Sequence, residues 1–252
     1  MNQVIHGDCL EVMPTLPDKS IDMILCDLPY GTTACKWDTI IPFEPLWEQY
    51  KRIIKDNGAI VLFGSEPFSS YLRMSSIKIY KYDWIWYKNN PTGIGLVGKQ
   101  PMRSYENVMV FNCVGMFYPQ KMKSRITDRG LGGYNGRFSS KKSDHYGFQP
   151  KKHAPNRLYE FVNPWNVLEF NVEPRSKGYL HPTQKPVALF EYLIKTYTNE
   201  GETVLDNCAG SGTTAIACIN TNRNYILIEK EKGYIDIINN RVAEHEQQLA
   251  LC

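Results

Sequence analysis

The 252-residue chain is 42% apolar and 22% charged, enough to bury a full core and more in keeping with one elaborated domain than with two equal ones. Met1 to Asp8 carries no basic stretch leading into an apolar run, and no segment approaches the roughly eighteen apolar residues of a membrane span. The chain is therefore expected to be a soluble cytoplasmic protein, neither exported nor membrane-inserted.

The net charge of +3 is uninformative alone, but its distribution is uneven. Between Gly115 and Gly178 twelve Lys or Arg face five Asp or Glu, a net of +7, while the remainder carries 17 basic and 21 acidic residues, a net of −4. A basic insert on a mildly acidic body is the footprint of a phosphate-binding surface, although a solvated loop region would share it. The cysteines (Cys9, Cys26, Cys35, Cys113, Cys208, Cys218, Cys252) include no Cys-x-x-Cys pair and the five histidines no ligand spacing, which predicts free thiols and no metal.

Along the chain, Ser20 to Cys26 reads as a buried strand ending at Asp27, where Pro29 and Gly31 stop it. Phe43 to Asn57 places Leu46, Trp47, Tyr50, Ile53 and Ile54 on one helical face, with Asn57-Gly58 as its stop. Gly58 to Gly64 is a second apolar strand. Strand, helix and strand in this order make a βαβ unit, so the sheet is predicted to be largely parallel. A helix over Pro67 to Ser75 and strands over Tyr82 to Tyr87 and Asn107 to Phe111 follow. From Cys113 to about His181 neither period is sustained, and so long an irregular stretch is usually functional or disordered. Order returns with a helix over Pro186 to Thr198, a strand over Thr203 to Asp206, and a helix from about Thr213 to Asn220. A strand over Asn224 to Glu229 and a helix over Tyr234 to Gln247 complete the pattern. The expected fold is α/β: Rossmann-like, a mostly parallel doubly wound sheet with an irregular basic insert. Residues 1–112 and 181–252 form two halves of one domain, with 113–180 inserted between them.

Three short segments carry chemistry. Asp206-Asn207-Cys208-Ala209-Gly210-Ser211-Gly212-Thr213 runs from strand through a tight turn to helix, where glycines admit a ligand close to the backbone and the helix start offers unpaired amides. Glu229 ends the next strand, placed to accept hydrogen bonds from ribose hydroxyls. This is a nucleoside-cofactor site, although Gly-x-Gly-x-x-Ala also fits a dinucleotide fingerprint. Asp27-Leu28-Pro29-Tyr30 follows the first buried strand. The amine of a nucleobase is a poor nucleophile because its lone pair is delocalised. The Asp27 carboxylate and the Leu28 carbonyl could each accept one amino hydrogen and redirect that lone pair, with Pro29 stiffening the turn and Tyr30 offering a stacking face. Taken alone, Asp-x-Pro-Tyr is also a common turn. His181-Pro182-Thr183-Gln184-Lys185-Pro186 brackets polar groups between prolines; Lys185 could meet a carboxylate, or the segment could simply start a helix at Pro186.

Together these segments resemble the amino-methylating DNA methyltransferases, the N6-adenine/N4-cytosine family, in its permuted beta class with the catalytic half first. The resemblance covers nearly the whole chain outside the basic insert. It implies S-adenosyl-L-methionine as cofactor and a flipped base in double-stranded DNA as substrate. Asp27, Leu28, Pro29 and Tyr30 match the family's Asp-Pro-Pro-Tyr motif, which binds and activates the amine. Asp206 to Thr213 (with Cys208, Ala209, Gly210, Ser211 and Gly212) match its cofactor-binding Asp-Pro-Phe-Ala-Gly-Ser-Gly-Thr motif, and Glu229 its ribose-binding acid. The resemblance further assigns Lys185 and its loop to the methionine end of the cofactor pocket, and Asp8 and Cys9 to the adenine end. The insert falls in the slot of the target-recognition region, where its Lys and Arg would meet DNA and Tyr118, Tyr134, Phe138, Tyr146, Phe148 and Tyr159 could stack or wedge.

Leu28 departs from the motif's usual Pro at a position expected to supply only a backbone carbonyl. Asn207 and Cys208 replace Pro and Phe, so an aromatic contact to the cofactor is lost. Asp at position 27 favours adenine. Cytosine N4 methylation, RNA methylation and, remotely, a nicotinamide-dependent oxidoreductase remain the alternatives. No cysteine follows a proline, so transfer is expected to be direct and not through a covalent intermediate. The resemblance also implies a cytoplasmic enzyme of a prokaryote or phage, with room for a homodimer and a cognate restriction endonuclease as partners.

Overall fold

A computed structural model describes residues 2–32, 38–113, 117–123, 161–172 and 184–251. The chain forms, in order, β1 (Gln3–His6), α1 (Cys9–Val12), β2 (Ile21–Cys26), α2 (Phe43–Ile53), β3 (Ile54–Gly64), α3 (Phe68–Ser75), β4 (Tyr80–Thr92) and β5 (Arg103–Phe111). After these come β6 (Met122–Lys123), β7 (Phe161–Val162), β8 (Val167–Glu169), α4 (Val187–Tyr197), β9 (Thr203–Asp206), α5 (Thr213–Asn220), β10 (Asn224–Glu229) and α6 (Lys232–Ala250). Among the described residues, eight strands make one sheet in the order β1-β10-β9-β2-β3-β5-β4-β8. All neighbours are parallel except β5, which runs against both β3 and β4.

The buried strands read as continuous apolar runs because helices cover both faces of a parallel sheet. In β3, Ile60 and Leu62 pack with Leu46, Trp47 and Tyr50 of α2. The next residue, Phe63, points the other way and stacks on Phe190 of α4, with ring centroids 5.3 Å apart. Asp22 interrupts the apolar run of β2 but is satisfied: Lys55 pairs with it at 2.6 Å and the Thr203 amide donates to it at 2.9 Å, tying β2 to the start of β9.

The expected α/β architecture is present, with three differences in detail. The helix expected over 43–57 ends at Ile53, and Ile54, expected on its apolar face, opens β3 and pairs with Ile21. Asn57-Gly58 is therefore not a helix stop but lies inside β3, where the β2/β3 register shifts. A Cβ at Gly58 would come within 2.7 Å of the Asp22 carbonyl, so glycine here serves close approach of strands. The N-terminal strand β1 had no sequence signal strong enough to name it. Finally, β8 adds a strand to the main sheet within a stretch expected to be irregular.

The main body comprises Met1–Tyr118 and Trp165–Cys252. Pro119–Pro164 forms a second compact unit, in which β6 and β7 pair antiparallel among the described residues. Tyr134, Phe138, Tyr146, Phe148 and Tyr159, like His181, Pro182 and Thr183, lie outside the described residues. Among the described residues no helix is long and apolar enough to cross a membrane.

Candidate active site

The winding direction of the sheet reverses between β9 and β2: β9 leads through α5 to β10 on one side, and β2 leads through α2 to β3 on the other. Such a reversal opens a crevice at the carboxyl ends of the two strands. A cleft of about 910 Å³ occupies this edge. Its walls come from the segments that leave β1 (Gly7 to Leu10), β2 (Asp27 to Tyr30), β9 (Asn207 to Ser211) and β10 (Glu229 to Glu231). Because β5 runs against β3, its first residues, Arg103 and Glu106, reach the same edge, as do Trp86 and Lys88 near the end of β4.

Of the fifteen residues given a catalytic or cofactor-binding role from sequence, fourteen line this cleft: Asp8, Cys9, Asp27, Leu28, Pro29, Tyr30, Lys185, Asp206, Cys208, Ala209, Gly210, Ser211, Thr213 and Glu229. Gly212 stands behind the wall. Its φ of +79° turns the chain into α5, and a Cβ there would meet two carbons of Ile238 at 3.1 Å.

Asp27 is gripped from two sides. Tyr30 donates its hydroxyl to Oδ1 at 2.5 Å and Lys185 its ammonium to Oδ2 at 2.6 Å. Phe68 stacks on the Tyr30 ring at 5.0 Å and holds its plane. Burial raises the Asp27 carboxyl above the ordinary range; Lys185 pulls it back and Glu106 adds to the rise. Burial likewise raises Tyr30, which stays a neutral donor. Leu28 is 3% exposed and anchors the turn in the core.

The glycine-rich turn is held from three directions. Glu229 accepts the Gly210 amide at 2.8 Å and, with its other oxygen, the Glu231 amide at 2.8 Å. Burial nonetheless raises this carboxyl. Asp206 accepts from the Thr214 hydroxyl and from the Cys208 amide. Here too burial wins, pushing Asp206 up to about 6. Arg241 of α6 donates to the Ser211 carbonyl at 3.0 Å. On the far side, Asp8 caps α1 through the Leu10 amide at 2.9 Å and pairs with Lys230 at 3.0 Å; these partners outweigh burial and hold its carboxyl below the usual range.

Asn207 and Cys208, the departures from the motif, have local partners. The Tyr50 hydroxyl donates to Asn207 at 2.6 Å, and the Cys208 thiol joins those of Cys9 and Cys26 in a small sulfur cluster. Aromatic surface is still available in the cleft from Trp86, Phe190 and Tyr234.

Sequence reasoning missed Lys88 and Glu106, both of which line the cleft. The available signal was two ionisable residues inside aromatic, β-branched strands, at positions where a sheet residue is normally apolar.

The fold and cleft define a doubly wound α/β enzyme with its ligand site at the topological switch. Within that class the chain belongs to the DNA methylase family of N6-adenine and N4-cytosine methyltransferases, whose model matches residues 21–240. It is 29% identical to the type II methyltransferase M.HpaI of Haemophilus parainfluenzae, over 95% of this chain and 74% of that one. To M.HinfI of Haemophilus influenzae it is 27% identical, over 97% and 69%. Among solved structures, the M1.HpyAVI complex with SAM matches with a TM-score of 0.61 and 26% identity, covering 96% of this chain and 100% of that one. The cytosine-N4-specific PvuII DNA methyltransferase shares the fold, with a TM-score of 0.63 at 14% identity, over 98% and 92%.

Proposed function

We propose that this DNA methylase transfers the methyl group of S-adenosyl-L-methionine to the exocyclic N6 amino group of an adenine flipped out of duplex DNA. The observation that carries this reading is the shared cleft: the Asp27 carboxylate and the glycine-rich turn around Gly210, far apart in sequence, open into one space. At about 910 Å³ that space is near the upper end of the usual range for ligand pockets.

The residues fit the cofactor. Glu229 and Asp8 supply carboxylates for sugar and base edges, the backbone from Cys208 to Ser211 admits close approach, and Lys185 with Gln184 closes the other end. When bound, S-adenosylmethionine supplies an electrophilic sulfonium methyl.

The chain's own groups prepare the nucleophile. Extruding a base requires on the order of a few kcal/mol, and stacking on an aromatic such as Tyr30 returns about 1–3 kcal/mol. Asp27 accepts one amino hydrogen and the Leu28 carbonyl the other, drawing the nitrogen toward tetrahedral geometry. Tyr30 and Lys185 already fix both Asp27 oxygens, so the acceptor is aimed before the base arrives. After transfer the amine is acidic, and Asp27 is the nearest group to take its proton.

Adenine is taken as the base over cytosine because Asp stands at position 27, the residue that the motif resemblance associates with adenine. The basic stretch between Gly115 and Gly178, net +7, would supply phosphate contacts and hence salt-sensitive DNA affinity.

The test is incorporation of tritiated methyl into duplex DNA, duplex RNA and protein, followed by mass spectrometry of the digested DNA. N6-methyladenine is expected, and N4-methylcytosine would overturn the base assignment. Asp27→Ala should lower the single-turnover rate about 100- to 1,000-fold, as expected for loss of one preorganised polar group. An unchanged rate would remove Asp27 from the mechanism.

A further inference from the structure

Beyond Asp27 the cleft holds a chain of alternating charge. Lys185 Nζ, 2.6 Å from Asp27, is also 3.1 Å from Glu106 Oε2, and Lys88 Nζ is 3.0 Å from Glu106 Oε1. Their side chains are only 5% (Lys88), 14% (Glu106), 7% (Lys185) and 22% (Asp27) exposed, so water screens them poorly. The arrangement follows from register: Trp86 and Lys88 share a face of β4, and Glu106 is the cross-strand partner of Trp86. Lys185 is boxed by the rings of Phe63, Tyr30 and Trp86, its ammonium 5.4, 5.8 and 5.9 Å from their centroids. An ammonium so enclosed keeps its charge only with carboxylates beside it, and two are provided.

We propose that Glu106 and Lys88 are positioning residues for methyl transfer, a buried charge chain that acts through Lys185 to set the aim and charge of Asp27. This rests on the reading of Asp27 given above. Lys185 facing Asp27 alone would hold it as a tightly paired, weakly basic anion. Glu106 takes up part of that field and leaves Asp27 a better acceptor for an amino hydrogen. Lys88 restrains Glu106 in turn, bringing the four groups to neutrality. Glu106 Oε2 makes no hydrogen bond of good geometry despite its burial, so its link to Lys185 is one of charge. Among the described residues, the other ionisable groups that bear on Asp27 are Tyr30 from its own turn, Cys26 at the end of β2 and Asp206 at the end of β9.

A structural clamp and a charge chain differ in the pH profile of single-turnover methylation. The acid limb reports protonation of Asp27. Glu106→Gln removes a neighbouring negative charge and should move that limb to lower pH by roughly one unit. Lys88→Met removes a positive charge and should move it to higher pH, by a smaller amount. Opposite shifts support the proposal; limbs that stay put, or move together, overturn it. Should Glu106→Gln fail to fold, the upward shift in Lys88→Met decides alone. Asp27→Asn separates the two readings: if it methylates at the wild-type rate the assignment of Asp27 falls, whereas if it is inactive and both charge variants keep the wild-type limb, only the charge chain falls.

Discussion

Tyr50 of α2 donates its hydroxyl to Asn207 in the glycine-rich turn at 2.6 Å, across 157 residues of sequence. Both side chains are almost fully buried, at 0% and 2% exposure, so neither has water as a substitute partner. The bond gives Asn207 a role of its own: its amide oxygen fastens the turn to α2. Tyr50→Phe leaves that oxygen unsatisfied and should destabilise the protein by about 1–3 kcal/mol in urea titrations. A change below about 0.5 kcal/mol would show that the turn does not depend on it.

Gly212 and Gly201 have nearly the same left-handed backbone, φ +79° and +80°, in different surroundings. A Cβ at Gly201 meets nothing within 4 Å, while at Gly212 it meets Ile238 at 3.1 Å. Gly201→Ala should therefore cost about 1–2 kcal/mol of backbone strain alone. Gly212→Ala should exceed it and also weaken cofactor binding, because the turn must shift. Thermal melts of the two variants check the difference, and equal losses would refute it.

Asp206 gives stability a pH dependence opposite in sign to that of an exposed salt-bridged carboxylate. Its folded value of about 6 lies above the ordinary value of about 3.9, so between these limits the folded chain holds the proton more tightly than the unfolded chain. The contribution is present in full below about pH 4 and is lost as pH rises through 6, a change on the order of 2–3 kcal/mol. The stability of the wild type relative to Asp206→Asn should decline over that window when denaturation is followed at several pH values. A flat difference would contradict it.

Glu229 places one oxygen on the Gly210 amide and the other on the Glu231 amide. Under the proposed cofactor geometry, Glu229→Ala removes both the ribose acceptor and the brace of the turn. S-adenosylmethionine affinity should fall roughly 10- to 100-fold by calorimetry, as for loss of charge-assisted hydrogen bonds. DNA affinity without cofactor should be unchanged, and an unchanged cofactor affinity would move the ribose elsewhere.

Strands β2, β9 and β10 and helix α5 were legible in the sequence to within a residue, because each is a short apolar run bounded by strong punctuation. The end of α2 was not. Ile53 and Ile54 continue the helical stripe, and only pairing of Ile54 with Ile21 makes it a strand residue. Asp27 and the glycine-rich turn could each be read locally, whereas their common cleft required the sheet order. Lys88 and Glu106 escaped because each is only an oddly placed charge in its own strand, and their partnership, across 18 positions of sequence, depends on the register of β4 against β5.

Strand β1 adds on beside β10, although the two stand at opposite ends of the sequence. A growing chain thus contains β1 long before β10, its neighbour in the sheet, has been made. Until β9 and β10 follow, β2 has one open edge and Asp8 lacks its partner Lys230. The walls of the cleft that come from β9 and β10 follow all its other walls in chain order, so the cleft is complete only once those two strands have joined the sheet.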